Sequence, residues 1–154
     1  MSGYRFRRMS DEEATQISGW HYEPPYDFYD ATSDADDLQE LLNPKRRKDT
    51  YFSVFDEDGS LVGFFQYERK NKTVEVGLGM RPDFTGQGLG LEYLLAGLKF
   101  AGERFSPDRF KLSVATFNER AIVVYERAGF RRGNEYMHST NGGEYLFLSM
   151  AREA

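Results

Sequence analysis

A chain of 154 residues suffices for one hydrophobic core and falls short of two ordinary domains, so a single domain over 1–154 is expected, with any cofactor and substrate sharing one fold. Hydrophobic residues at 40% and aromatics at 16% support folding without crosslinks, and the lack of cysteine excludes disulfides, thiolate metal sites and a cysteine nucleophile. The formal charge of -5 argues against nucleic acid as a partner.

No metal is expected. The opening residues MSGYRFRRMS lack an apolar leader region, and no window approaches the roughly 18 apolar residues of a membrane span. No membrane association and a cytoplasmic address are therefore expected. The charge is uneven: Ser10 to Pro44 holds ten acids and no Lys or Arg, leaving the rest of the chain at a formal +5. One region suits a cation and the other an anion, although most of these acids are better read as the solvated face of two short helices.

In chain order, Tyr4 to Met9 alternates as a strand, and Ser10 opens a short helix over Asp11 to Ser18. Gly19 to Asp30 cannot run as a regular helix through Pro24 and Pro25, yet it carries Trp20, Tyr22, Tyr26, Phe28 and Tyr29. This segment reads as an aromatic loop. Asp34 to Leu42 reads as a helix closed by Asn43-Pro44, and Lys45, Arg46, Arg47 and Lys48 as a solvated connection. Tyr51 to Phe55 and Leu61 to Glu68 flank the turn Asp56 to Gly59 as a hairpin, and a further turn leads into Thr73 to Met80. In that third strand Val74, Val76, Leu78 and Met80 share one face, while Gly77 and Gly79 leave the other nearly bare, a pattern that marks close approach to the backbone.

Thr85-Gly86-Gln87-Gly88-Leu89-Gly90 then opens an amphipathic helix with Leu91, Leu94, Leu95, Leu98, Ala101 and Phe105 at helical spacing. Phe110 to Ala115 is a strand, Asn118 to Ala128 a helix stopped at Gly129, and Arg131 to His138 pairs with Glu144 to Met150 across Asn141-Gly142-Gly143. The order predicts an α/β (α+β) fold: a mixed, mostly antiparallel sheet of about seven strands flanked by four helices.

A glycine turn between strand and helix offers free amides and the positive end of a helix dipole to phosphate oxygens. It is neither a Walker loop nor a dinucleotide fingerprint, and alone it reads equally well as a simple cap. Asn118 and Tyr125, two turns apart, lie on one helical face and can address one ligand, or serve as a cap and a core aromatic.

Together, Thr73 to Leu91 and Asn118, Ala121, Tyr125 and Gly129-Phe130 resemble the two cofactor motifs of the GNAT acetyltransferase superfamily. The resemblance implies an N-acetyltransferase moving an acetyl group from acetyl-CoA to a primary amine by direct attack in a ternary complex. It implies backbone bonds from Leu78, Gly79 and Met80 to the pantetheine arm, with Asn118 on the same arm. Gly86, Gln87, Gly88, Leu89, Gly90 and Leu91 would cradle the diphosphate, and Tyr125 would stand near the sulfur as general acid. One departure is Thr85, where the family commonly has Arg or Gln.

Ser113 stands where some members place a glutamate, which leaves Glu75, the only carboxylate on the open face of the glycine strand, as general base, with His21 as the alternative. The resemblance puts the acceptor, a small-molecule amine or a protein N-terminus, beside Trp20, His21, Tyr22, Tyr26 and Tyr29, whose ring faces suit an alkylammonium. It admits a homodimer through the late hairpin. A non-catalytic acyl-CoA-binding sensor and a protein-interaction module are the alternative readings.

Overall fold

The computed structural model describes residues 3–154; Met1 and Ser2, which begin the segment read for a leader, lie outside them. The elements are β1 (Arg5–Arg8), α1 (Asp11–Ser18), α2 (Ala35–Leu42), α3 (Pro44–Arg47), β2 (Tyr51–Phe55), β3 (Leu61–Lys70), β4 (Thr73–Met80), α4 (Gly90–Phe105), β5 (Arg109–Ala115), α5 (Glu119–Arg127), β6 (Arg131–Thr140) and β7 (Gly143–Glu153). The strands form one sheet in the order β1-β2-β3-β4-β5-β7-β6. Every pair is antiparallel except β4 with β5. Among the described residues, no helix is long and apolar enough to cross a membrane.

Local chemistry explains the helix ends. Ser10 and Glu13 form a reciprocal capping box at α1 (3.1 and 3.0 Å), with Arg7 holding Glu13 at 2.7 Å. Asp34 accepts the Asp37 amide at 2.9 Å and so starts α2. Among the described residues the sheet carries five α-helices rather than four. The solvated connection expected at Lys45 to Lys48 is instead the short α3, because Asn43 caps it and Pro44 preorganises its first turn. Arg47 at its end is only 5% exposed: it donates to the Leu41 carbonyl at 2.7 Å and pairs with Asp11.

The main core lies between the sheet and α4, where Tyr93, Leu94, Leu98 and Ala101 meet Phe65, Tyr67, Val74, Val76, Phe110, Leu112 and Met150. Gly97 belongs to this contact, since a Cβ there would collide with the Phe65 ring, and its carbonyl accepts the Tyr67 hydroxyl at 2.7 Å. The opposite face carries a second cluster of Met9, Ala14, Ile17, Leu41 and Tyr51, joined by Trp20, Ala31, Leu61 and Phe64.

The glycine face of β4 is not bare. Phe64 lies on Gly79 so closely that a Cβ would meet its ring, and Gln66 covers Gly77, a Cβ there standing 3.3 Å from Oε1. A cross-strand side chain fills each place a glycine leaves empty.

Burial raises the phenols of Tyr51, Tyr67 and Tyr93 above their ordinary value, with nearby Glu40 adding to the effect at Tyr51. Below about pH 10 both folded and unfolded phenols are protonated and full stability is present. Above it the unfolded chain ionises while the folded one does not, so stability falls by up to about 1.4 kcal/mol per pH unit for each buried phenol. Denaturant titrations between about pH 9 and 11.5, read with phenolate absorbance, should show these three rings ionising only as the fold is lost.

Candidate active site

β4 and β5 pair over only three residues each, Thr73, Val74 and Glu75 opposite Arg109, Phe110 and Lys111. Beyond that they part: β5 continues against β7 to Ala115, and β4 continues against β3 to Met80. The register fixes which groups face the gap. Arg81 N–H donates to the Val62 carbonyl at 2.8 Å and Tyr67 N–H to Thr50 at 2.8 Å, so the odd-numbered residues of β4 turn their main chain to β3. The main-chain groups of Val76, Leu78 and Met80 therefore face the open side, whereas those of Gly79 face β3, its carbonyl also accepting the Tyr93 hydroxyl at 2.8 Å.

At the end of β4 the chain turns through Pro82–Phe84 into the glycine loop, where Gly86 and Gly88 take φ of +73° and +75°. Positive φ is what glycine permits at little cost. The first helical bond of α4 runs from Tyr93 N–H to the Leu89 carbonyl, and no side chain caps this end. The amides of Gly90, Leu91 and Glu92 thus lack intrahelical acceptors at the positive end of a sixteen-residue dipole. α5 packs beside this end: Val124 methyls lie 3.5 and 3.6 Å from where a Cβ on Gly90 would stand.

Two tyrosines of the aromatic loop reach the parted strands. Tyr22 donates its hydroxyl to the Met80 carbonyl at 2.6 Å, and Asn118 Nδ2 donates to the Tyr29 hydroxyl at 3.2 Å while Asn118 Oδ1 accepts the Ala121 amide and caps α5. Burial drives the Tyr22 phenol up, with Asp30 adding to it. The Tyr29 phenol is also raised by burial, against the opposing pull of Asn118 and the Ala115 amide. Tyr125, on the same face of α5 as Asn118, is raised by burial and then by Tyr29.

The remaining residues singled out in the sequence disperse. Trp20 packs against the second apolar cluster. Tyr26 lies under the Arg120 guanidinium, 3.7 Å from its carbon. His21 is exposed, its Nδ1 2.9 Å from Asp30 Oδ2, while Asp30 Oδ1 accepts the Tyr22 amide at 2.8 Å. Glu75 shares its sheet face with Phe64, the side that carries the aromatic loop, and lies 3.5 Å from Lys70 Nζ.

Sequence reasoning missed the latch that holds the loop. Asp34 Oδ2 accepts the Asn141 amide at 2.8 Å and the Thr140 hydroxyl at 3.0 Å, and Asn141 Nδ2 donates to the Phe28 carbonyl at 2.7 Å. The Asn141 amide first, then the Asp37 amide and the Thr140 hydroxyl, hold the Asp34 carboxyl below its usual range. Beside the latch, Asp27, Phe28, Phe117, Asn141 and Tyr145 line an open hollow of about 490 Å³. A larger hollow of about 630 Å³ lies over the outer face of α4, against Tyr4, Phe6 and Phe100, and takes in Leu91 and Glu92 at the start of that helix. Asp34 was legible as a helix start, but nothing local announces a partner 107 positions away.

Replacing Asp34 with Ala should cost about 1–2 kcal/mol through the lost cap and the freed Asn141 amide. Chemical denaturation measures this. The lowered carboxyl makes the contribution full above its unfolded value and lost as pH falls through the folded one, so the gap between variant and parent should close in acid.

The family model described as an acetyltransferase (GNAT) domain matches residues 3–131. An uncharacterized SPbeta prophage-derived N-acetyltransferase, YokL of Bacillus subtilis, is 26% identical over 127 residues, covering 77% of this chain and 72% of that protein. A mycothiol acetyltransferase of Propionibacterium freudenreichii is 41% identical over 81 residues, 49% of this chain but only 25% of its own length. The structure of the Vibrio cholerae spermidine N-acetyltransferase in complex with CoA and spermine superposes with a TM-score of 0.76 at 20% identity, over 98% of this chain and 95% of that one. The chain belongs to the acetyltransferase (GNAT) domain family, whose members use acetyl-CoA as acyl donor.

Proposed function

We propose that the chain transfers an acetyl group from acetyl-CoA to a primary amine, of a small molecule or a protein N-terminus, in a ternary complex. The observation that carries this reading is the parting of β4 from β5 directly ahead of an uncapped, glycine-entered helix. Main-chain groups of Leu78 and Met80 suit the amides of a pantetheine arm, and Gly86 to Leu91 present the amides that suit its diphosphate. Gly79 serves differently, as the seat of the Phe64 ring that keeps β4 pressed to β3. Acetyl-CoA supplies the activated acyl carbon and a thiol leaving group; the rest falls to side chains of this chain.

Tyr125 is assigned as general acid. Its buried phenol keeps its proton through the physiological range, and a thiolate formed beside it is equally deprived of water, so both proton affinities rise together. Tyr22 and Tyr29 form the acceptor's side of the cleft, holding Met80 and Asn118 until the donor arrives. For the proton leaving the amine, Glu75 works through water on the loop face of the sheet. His21 is the second candidate, because Asp30 fixes its Nδ1 and leaves Nε2 free to accept.

The uncovered β6 edge, where Met137 is 58% exposed, is where a second copy would dock. Charge favours a cationic small acceptor: Asp27 has no ion-pair partner among the described residues and borders the hollow beside Tyr29.

With acetyl-CoA and an amine panel, Tyr125→Phe should slow thiol release about 10²-fold or more while leaving CoA affinity in calorimetry unchanged. An unchanged rate removes Tyr125 from its role. Glu75→Gln and His21→Asn separate the two bases, since only the true base should shift the acid limb of the kcat profile.

A further inference from the structure

We propose that Arg120 is the cation that binds the diphosphate of the coenzyme A donor, replacing a side-chain contact that the glycine loop itself cannot make. The proposal rests on the acyl-CoA reading above and goes beyond it by naming a residue outside both motif segments' matched positions.

The loop's own polar side chains are already engaged. Thr85 Oγ1 donates to the Pro82 carbonyl at 2.7 Å, and Gln87 Nε2 donates to the Asp83 carbonyl. Arg81, the cation on the approach, is forked onto Asp83 at 2.7 and 3.1 Å and bonded to the Leu61 carbonyl at 3.1 Å. What remains is a set of main-chain amides, which orient phosphate oxygens but carry no net charge against a dianion.

Arg120 arrives from the neighbouring helix. Its Nη1 lies 3.9 Å from the point where a Cβ on Gly86 would stand. One turn further along α5, Val124 touches Gly90, so a single face of α5 spans the loop from its first glycine to its last. Among the described residues Arg120 makes no ion pair. It also sits in the first turn of α5, where the helix dipole opposes a positive charge. An exposed, unpaired guanidinium held at that unfavourable place beside a ring of free amides is what an absent anion would complete.

Tyr26 sets its orientation. The ring covers the guanidinium face at 3.7 Å, and because the five N–H donors lie in the guanidinium plane, the edge toward Gly86 stays free for a forked pair of bonds to phosphate. Tyr26 belongs to the aromatic loop, so the acceptor side rests on the residue that holds the donor.

The test is calorimetry on the full chain with CoA and with 3′-dephospho-CoA, alongside thermal melting. Arg120→Gln should melt with the parent and weaken both ligands by the same factor, about tenfold or more, as loss of a charge-assisted bond pair implies. Arg120→Lys should recover part of the loss, and the salt dependence of binding should flatten in Arg120→Gln. Unchanged affinity would overturn the proposal. A loss confined to CoA would overturn it too, by placing Arg120 at the 3′-phosphate, and so would unchanged CoA affinity with a raised KM for the amine, by leaving it only a prop for Tyr26. If the unaltered chain binds no CoA, the acyl-CoA reading fails and takes this proposal with it, an outcome distinct from a variant that binds as tightly as its parent.

Discussion

The parting of β4 from β5 after Glu75 and Lys111 is the constraint on which the other features of the site depend. A strand inside a sheet normally spends its main-chain groups on both neighbours, yet here Val76 to Met80 has only β3. Each main-chain group left unpaired out of water costs about 1–3 kcal/mol. The gap must therefore stay wet, admit a ligand, or be bridged by side chains, and Tyr22 on the Met80 carbonyl is such a bridge. α5 follows directly on β5, with Asn118 N–H bonded to the Ala115 carbonyl at 3.0 Å, and it brings Val124 against Gly90.

Tyrosine does two jobs in this fold, distinguished by where the hydroxyl goes. Tyr67 and Tyr93 bury their rings in the main core and hand their hydroxyls to main-chain carbonyls of Gly97, Phe64 and Gly79, which ties α4 to β3 and β4 and makes the end of the glycine strand rigid. Tyr22 and Tyr29 instead come from the aromatic loop, helical only in the 3-10 turn Tyr26–Tyr29, and reach groups that a ligand would also seek. Their bonds are exchangeable for a ligand's, whereas those of Tyr67 and Tyr93 are not without opening the core. Rigid strand and exchangeable loop meet at Met80.

Most of the fold was legible because its signals are local. Alternation in β2 and β3, the glycine entry to α4, and Asn118 capping α5 each announce themselves within a few residues, and their chain order was enough to give the mixed sheet. Two local readings failed for a tertiary reason. Four consecutive basic residues look solvated, but Arg47 turns inward to pair with Asp11, and the glycine face of β4 looks bare until Phe64 and Gln66 lie across it. The candidate site was legible only where it coincides with motif. Asp34 with Asn141 and Arg120 with Tyr26 join segments far apart in sequence, and each partner has a complete local explanation as cap, turn or exposed charge. Nothing in such residues signals that they work together until the fold brings them into contact.

The charge asymmetry gains meaning from this arrangement. The ten acids between Ser10 and Pro44 lie in α1, the aromatic loop and α2. The glycine loop and Arg120 belong to the part of the chain with an excess of base. The acidic and basic segments meet where Tyr26 supports Arg120 and Tyr29 meets Asn118. Because these contacts belong to one loop latched at Asp34, whatever loosens the latch should reach Tyr22, Tyr26 and Tyr29 together, and through Tyr26 the Arg120 guanidinium beside Gly86.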